Sequence, residues 1–384
     1  MKTSIVTTTI YVPLTLRKFA DNARQYGHTD LEFVVSGDRK TPPETRAFCE
    51  ELTQQSSYPV HYLGIDDQKQ YLDRFPDLWS HLRFDSIQRR NVSLFYAYES
   101  GADLIITVDD DNFVLNQDFI GLHAKAGTRC QLPVIESTTG WFNVCSFLEE
   151  ENGQPFYHRG YPVSQRWNER EAFWVESNAT RRVAVNAGFW LDDPDIDALT
   201  RLHRQPVVRR VTRPPFALEP GTWSPFNSQN TAIARDVAPA YFMSPYVGRY
   251  DDIWPSYVVT RIAEHLGDVV AFGDPVVRQK RNVHDLWRDL ENERNGMLMT
   301  DEFCAALRRL KLQGTTYHQC YGEIAAGLGA EWVVGPRWTD SMKEWRGRFI
   351  EGLQIWHASF ARILSTTPSD AAGNSLSALV LAGK

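Results

Sequence analysis

The sequence predicts an α/β fold with a mostly parallel central sheet and a helical C-terminal extension. Three observations carry this expectation. Up to Val108, short β-branched runs alternate with amphipathic stretches, giving the order strand–helix–strand–helix–strand–helix–strand of a parallel sheet. One run, Leu104-Ile105-Ile106-Thr107-Val108, leads straight into Asp109-Asp110-Asp111-Asn112. A short, bounded run of this kind reads as a strand buried on both faces. From Asp285 onward the pattern is helical and amphipathic.

Ser4–Ile10 is the β-branched first strand, and Leu14–Tyr26 sets Leu14, Leu16, Phe19, Ala20 and Ala23 at helical spacing. Leu31–Gly37 is a second strand that turns at Asp38. Thr41-Pro42-Pro43-Glu44 starts a helix with its acid in the first turn. Val60–Gly64 is a short third strand. Ser86–Ser100 is a helix with Ile87, Val92, Leu94, Phe95 and Tyr98 apolar and Gly101 as its C-cap. Arg182–Leu191 reads as a strand whose Gly188 admits another backbone or a ligand. Thr231–Ala234 is a further short strand, and Pro255–Leu266 a helix. Cys304–Leu310 and Trp345–Leu364 are the clearest C-terminal helical pieces. The division expected is 1–285 as the catalytic unit, 286–365 as the helical extension and 366–384 as an unstructured tail.

Ligands of such sheets gather beyond the carboxyl ends of the strands. Three adjacent carboxylates there repel one another unless a cation neutralises them. Hard oxygen ligands suit Mg²⁺ or Mn²⁺, and Mg²⁺ usually shares its site with substrate phosphates. A solvated acidic turn is the competing reading, and the apolar strand before it favours the metal. Thr8 and Asp38 end the first two strands, where a nucleoside docks. Asp38 can accept hydrogen bonds from a ribose or base, or merely close a Gly-Asp turn. Arg90, inside the helix that feeds the acidic strand, can reach a diphosphate or lie on a solvated helix face.

Arg159 and Arg166 sit in a Gly- and Pro-punctuated loop, Tyr157–Arg166. Asp192-Asp193-Pro194-Asp195 reads as a plain turn. Gly221–Asn230 offers polar amides and Trp223 to a sugar pocket, or forms a polar surface loop. Asp251 and Asp252 precede a helix, whose dipole accounts for one acid. Two acids beside Arg249 and Tyr250 suggest a site as well.

Bulk properties narrow the function. With 41 basic and 48 acidic residues the net charge is −7, which argues against nucleic acid as a partner. No apolar run reaches transmembrane length and no signal peptide is evident, so a cytoplasmic protein without membrane attachment is expected. Cys49, Cys130, Cys145, Cys304 and Cys320 lack CxxC spacing, and reduced thiols are expected. The sequons at Asn91 and Asn178 are then idle. Twelve Trp suit sugar stacking as well as a core. Homo-oligomer formation is left open.

The Arg-Asn helix, the acidic strand end and the later acid pair together resemble the nucleotide-diphosphosugar transferase fold of GT-A type. More specifically, Val108–Asp111, Arg159-Gly160-Tyr161-Pro162-Val163-Ser164-Gln165-Arg166, Gly188–Asp192, Arg249-Tyr250-Asp251-Asp252-Ile253-Trp254 and Thr315–Tyr321 resemble, in the same order, the reversibly glycosylated polypeptides, which are the plant UDP-arabinopyranose mutases. The resemblance runs from the first strand to near residue 360. It implies a metal-dependent enzyme that interconverts pyranose and furanose forms of an NDP-sugar, UDP- or GDP-linked.

By that resemblance Asp109, Asp110 and Asp111 hold Mn²⁺ or Mg²⁺ on the diphosphate, with Asp109 and Asp111 as ligands and Asp110 toward the nucleotide. Arg159 matches the reversibly glycosylated arginine, Arg166 the second required arginine, and Asp251 and Asp252 the acid pair of the sugar pocket. Where the plant proteins carry His-Ser-Lys this chain has Arg278-Gln279-Lys280, which leaves His284 as the nearest third metal ligand. The looser remainder resembles bacterial-type members acting on another sugar or base, GDP-linked 6-deoxyhexoses among them. The alternative is a GT-A glycosyltransferase moving a sugar to a separate acceptor. A self-glycosylated scaffold is the rival from another class, and the intact acid clusters speak against it.

Overall fold

The computed structural model describes residues 1–168, 173–282 and 284–365, so the tail expected over 366–384 lies outside the described residues. Strands β1 (Thr3–Thr9), β2 (Leu31–Gly37), β3 (Val60–Leu63) and β4 (Leu104–Val108) lie in the order β3-β2-β1-β4, all parallel. Helices α1 (Leu16–Gln25), α2 (Glu44–Ser56), α3 (Ile65–Leu72), α4 (Pro76–His81) and α5 (Arg90–Glu99) make the crossovers. The spacing that predicts α1 is also what buries it, with Leu16, Phe19, Ala20 and Ala23 turned to the core. β4 is buried along its whole length, as an apolar run between two helical layers must be. The pair α3–α4 is an addition to the expected order, formed by a polar stretch that lacks a clear apolar stripe.

Beyond β4 the chain forms β5 (Asn112–Val114), α6 (Phe119–His123), β6 (Arg129–Ser137), β7 (Leu148–Glu150), α7 (Val163–Asn168), β8 (Trp174–Asp192), α8 (Ala198–His203), β9 (Val208–Val211), β10 (Phe216–Leu218), β11 (Asn230–Ala234), α9 (Trp254–Leu266) and β12 (Val269–Gln279). The sheet continues β4-β11-β8-β6-β10-β12-β5. Here β4–β11, β11–β8, β8–β6, β10–β12 and β12–β5 are antiparallel, while β6–β10 and β8–β12 are parallel. The parallel character expected of the sheet therefore holds for β3-β2-β1-β4, and the rest is mixed. Buried apolar runs look alike in either direction, so composition does not reveal a strand's sense.

This change of direction builds the site. β11 starts beside the end of β4, with Asn230 opposite Val108. The ends of β8 and β12 meet at Asp192 and Gln279, and Gln279 also pairs with Asn112. One rim of the sheet thus gathers Asp109–Asp111, Asn227–Gln229, Asp192–Asp195 and Gln279–Arg281. At Gly188 a Cβ would lie 2.3 Å from the Pro275 carbonyl oxygen, which is the close backbone approach that this glycine implies.

Helices α10 (Leu286–Arg309), α11 (Tyr317–Glu331) and α12 (Asp340–Ser365) pack onto the same core. Trp356 and Phe360 of α12 stand 5.5 and 5.0 Å from Phe95 of α5, ring to ring. Trp254 lies 4.9 Å from Phe303 and 5.1 Å from Phe349. Much of the tryptophan content is therefore core: Trp190, Trp223, Trp254, Trp332 and Trp356 are all fully buried. All five cysteines are free. Among the described residues no helix is long and apolar enough to cross a membrane.

Candidate functional site

A cavity of about 790 Å³ opens at the rim. Thr8, Asp38, Arg90, Asp109, Asp110, Asp111, Arg159, Asp251, Asp252 and His284 all line it. Arg166 is the one expected site residue that does not. Its Nη2 donates to Asp197 Oδ2 at 2.7 Å, and its guanidinium lies 5.0 Å from the Tyr157 ring. Asp197 in turn caps α8 by accepting from the Thr200 amide at 2.8 Å. Trp223 also lies away from the cavity. It is buried against Tyr257 and donates to Glu264 at 2.8 Å, so of the Gly221–Asn230 stretch the amides Asn227 and Gln229 reach the cavity wall.

The acidic rim comes first. Arg90 opens α5 and is buried, and its Nη2 donates to Asp109 Oδ1 at 2.6 Å. Its Nη1 donates to the Ser228 carbonyl at 2.9 Å and to Ser228 Oγ at 2.7 Å. Thr9 donates its hydroxyl to Asp110. Asp111 Oδ1 is buried and has no hydrogen-bond partner. Burial, then the charges of Asp109 and Asp110, lift Asp111 to about 7. Burial also raises Asp110. Asp38 accepts from the amides of Arg39 at 2.7 Å and Ser86 at 3.0 Å, and Thr8 donates its hydroxyl to the Ser36 carbonyl at 2.9 Å.

Across the cavity lies a guanidinium cluster. Arg159 donates from Nε and Nη2 to the two oxygens of Asp195, each at 2.9 Å. Nη2 donates also to Asp252 Oδ1 at 3.1 Å, and Nη1 to the Arg249 carbonyl. Four of its five N–H groups are thereby engaged. Burial opposes the charge of Arg159, but Asp195 and Asp252 outweigh it and hold the guanidinium pKa well above its usual value. Burial likewise opposes the charge of Asp195, and Arg159, His158 and Arg281 drive it well below the carboxylate range.

Asp251 behaves otherwise. It accepts from Gln88 Nε2 at 2.6 Å and from the Asp252 amide at 3.0 Å, and burial, then the charge of Asp252, push it to about 7. Asp251 and Asp252 stand just before the N-terminus of α9, and neither makes a capping hydrogen bond to it.

The loop carrying Arg159 is fixed by the segment that carries the acids. Gly160 has φ +83, and a Cβ there would lie 2.2 Å from Ile253 Cγ2. Tyr257 donates to the Gly160 carbonyl at 2.8 Å. The two halves of the cavity are joined through Ser228, whose amide and hydroxyl donate to Asp252 Oδ2 at 3.2 and 3.3 Å while it receives Arg90. Asp109, Arg90, Ser228, Asp252, Arg159 and Asp195 thus form one continuous polar chain.

The donor chemistry fits a cation in part. Ten aspartates against six arginines line the cavity, so a diphosphate would meet net negative charge without an added cation. The orphaned Asp111 oxygen is a ready ligand. The expected set of Asp109, Asp111 and His284 does not close, however. His284 Nδ1 is tied to Asp289 Oδ2 at 3.0 Å, and among the described residues no three His, Cys, Asp or Glu side chains converge as a cation site.

Sequence reasoning missed Asp195, Gln88 and Ser228. Asp195 sits in a Pro-containing turn that looks complete in itself, and Gln88 and Ser228 belong to no motif. Their partners lie far off in the chain, Gln88 and Asp251 being 163 positions apart.

The sequence pattern of the reversibly glycosylated polypeptide family matches residues 80–351, more than half of the chain. UDP-arabinopyranose mutase 3 of Arabidopsis thaliana is 29% identical over 231 residues, which cover 58% of this chain and 59% of that protein. A probable UDP-arabinopyranose mutase 1 of Solanum tuberosum is 31% identical over 232 residues, again covering 58% of this chain and 59% of the relative. The match therefore spans less than two thirds of these curated relatives. Among solved structures, a mannosyltransferase of Pyrobaculum calidifontis with GDP-Man and Mn²⁺ aligns over 99% of this chain and 80% of its own, at TM-score 0.41 and 12% identity. Glucosyl-3-phosphoglycerate synthase of Mycobacterium tuberculosis with Mn²⁺ and UDP-glucose aligns over 80% of this chain and 78% of its own, at TM-score 0.37 and 13% identity. Both are distant likenesses.

Proposed function

The chain belongs to the reversibly glycosylated polypeptide family, and from that premise we propose that it is a mutase interconverting pyranose and furanose forms of a UDP- or GDP-linked sugar, dependent on Mn²⁺ or Mg²⁺. The observation that supports it best is the polar chain from Asp109 to Asp195, which joins an acidic rim to an arginine-ordered acid pair across one cavity.

Ring interconversion requires the bond between C1 and the diphosphate oxygen to break and re-form. Asp109 and Asp111 would hold the divalent ion, which when bound spreads the negative charge of the departing diphosphate. Arg90 fixes the orientation of Asp109. Thr8, Asp38 and Asp110 line the nucleotide end. At the sugar end, Asp252 is ordered at the cavity wall by Arg159 and Ser228. Asp251 takes a proton from the hydroxyl that attacks C1 and returns it to the ring oxygen released, a task suited to a carboxyl poised near neutrality. Arg159 keeps its proton and orders the pair; a guanidinium bound on most of its N–H groups is a poor nucleophile. Arg166 acts from outside the cavity, holding the loop through Asp197 and Tyr157.

The test is incubation with a panel of UDP- and GDP-sugars and Mn²⁺, without acceptor, read by NMR. Furanose signals with many turnovers per chain are expected. Sugar transfer that needs a separate acceptor would replace this reading with a glycosyltransferase, and a single labelling per chain with a scaffold. Intact mass after incubation with labelled sugar is expected to show no adduct. An adduct lost in Arg159→Lys would give Arg159 the nucleophile's part.

A further inference from the structure

Arg281 follows β12 and lines the cavity between Asp111 and Asp195. Its side chain is nine-tenths buried, with 10% exposure. A guanidinium has five N–H groups to satisfy. Among the described residues Arg281 makes one hydrogen bond, from Nη2 to Asp195 Oδ1, at a long 3.3 Å. Its Nε stands 3.8 Å from Asp193 Oδ1 and, although buried, has no hydrogen-bond partner.

Both carboxylates within its reach are held by better-placed donors. Asp195 receives Arg159 twice at 2.9 Å and Asn227 at 2.8 Å. Asp193 receives Arg201 at 2.6 Å. The other cavity arginines differ. Arg90 and Arg249 have close acid partners at 2.6 and 2.8 Å, Arg159 is bound on four N–H groups, and Arg83 and Arg288 are exposed. A buried guanidinium with idle donors is costly unless a ligand completes it. Its planar fork matches the oxygens of a phosphate.

We propose that Arg281 is the cavity's diphosphate receptor, binding the phosphate oxygens of a nucleoside diphosphate through the Nη1 and Nη2 N–H groups that Asp195 leaves free. This rests on the nucleotide-sugar reading above. It divides the work between two arginines: Arg159 orders carboxylates, and Arg281 takes the substrate's anion beside Asp111.

The test, with Mn²⁺ present throughout, is isothermal titration of the full chain with UDP and GDP, and with uridine and guanosine, for wild type, Arg281→Gln and Arg281→Lys. Arg281→Gln is expected to weaken the tighter-binding diphosphate by about 10- to 100-fold, with Arg281→Lys between it and wild type, and nucleoside affinity within about 3-fold. Equal losses for nucleoside and diphosphate, or diphosphate binding unchanged in both variants, would overturn the proposal. Should Arg281→Gln not fold, Arg281→Lys alone decides, since its point charge cannot reproduce the fork. If wild type isomerises sugars but the variants keep diphosphate affinity, only the receptor role falls. If the expected losses appear but no ring isomerisation does, only the mutase reading falls. If wild type binds no nucleoside diphosphate, both fall.

Discussion

At the tip of β4, three aspartates share one close guanidinium, Arg90, and one buried oxygen of Asp111 has no partner. Across the cavity Asp195, Asp251 and Asp252 are arranged about Arg159, with Gln88, Asn227 and Ser228 completing their hydrogen bonds. The two regions carry equal numbers of carboxylates and treat them oppositely. The arginine cluster satisfies its carboxylates with hydrogen-bond donors from within the chain. The rim is left short of positive charge, which is the condition under which an added cation gains most. The difference separates a part of the site that is built to be completed from a part that is already complete.

The largest effect expected from this contrast is at Arg159. Arg159→Ala strands Asp195 and Asp252 in a buried place, and a stability loss of about 3–5 kcal/mol is expected by urea denaturation, with the proposed turnover abolished. Arg159→Lys should recover little, because an ammonium cannot bridge both oxygens of Asp195. A mild loss would show that the cluster is not self-contained.

At the rim the pattern should invert. Asp111→Asn is expected to lower turnover at least about 100-fold while leaving the denaturation midpoint in chelator unchanged or higher, since it removes a crowded charge. A large stability loss there would erase the distinction between the regions.

Asp251 sharpens the contrast within the cluster. Its folded pKa of about 7 stands above the unfolded value of about 4, so the folded state holds an extra proton between those limits and stability falls as pH rises through that window. Asp251→Asn should therefore stabilise the protein by about 1–3 kcal/mol at pH 8 and by nothing at pH 4, as pH-resolved unfolding would show. The wild-type rate should change with an inflection near pH 7.

The smallest effect is expected at Arg166. It pairs with Asp197 off the cavity, so Arg166→Lys should cost about 1 kcal/mol of stability and less activity than Arg159→Lys, measured side by side.

Much of this was legible in the sequence, for reasons that differ by residue. β4 and its aspartates announce themselves because an apolar run and its acids are adjacent. α1 and α5 follow from local periodicity. Arg90 stands out as a cation in the helix feeding an acidic strand end, but its position suggests a diphosphate or solvent as its partner, whereas the structure buries it against Asp109. Asp195 is hidden because nothing near it in the chain needs a carboxylate; its partner Arg159 lies 36 residues earlier. The sense of β11, which carries Ser228 into the site, depends on pairing that composition does not record. Trp223 illustrates the converse: an aromatic in a polar loop suggests a sugar platform, yet its ring serves the core and its N–H serves Glu264.

The central claim is that the rim, and not the arginine cluster, takes the divalent cation. Mn²⁺ binding measured by electron paramagnetic resonance, with UDP or GDP present, tests it directly in wild type, Asp111→Asn and Asp251→Asn. One site per chain that is lost in Asp111→Asn and kept in Asp251→Asn is the expected result; a site that survives Asp111→Asn, or vanishes with Asp251→Asn, would contradict it.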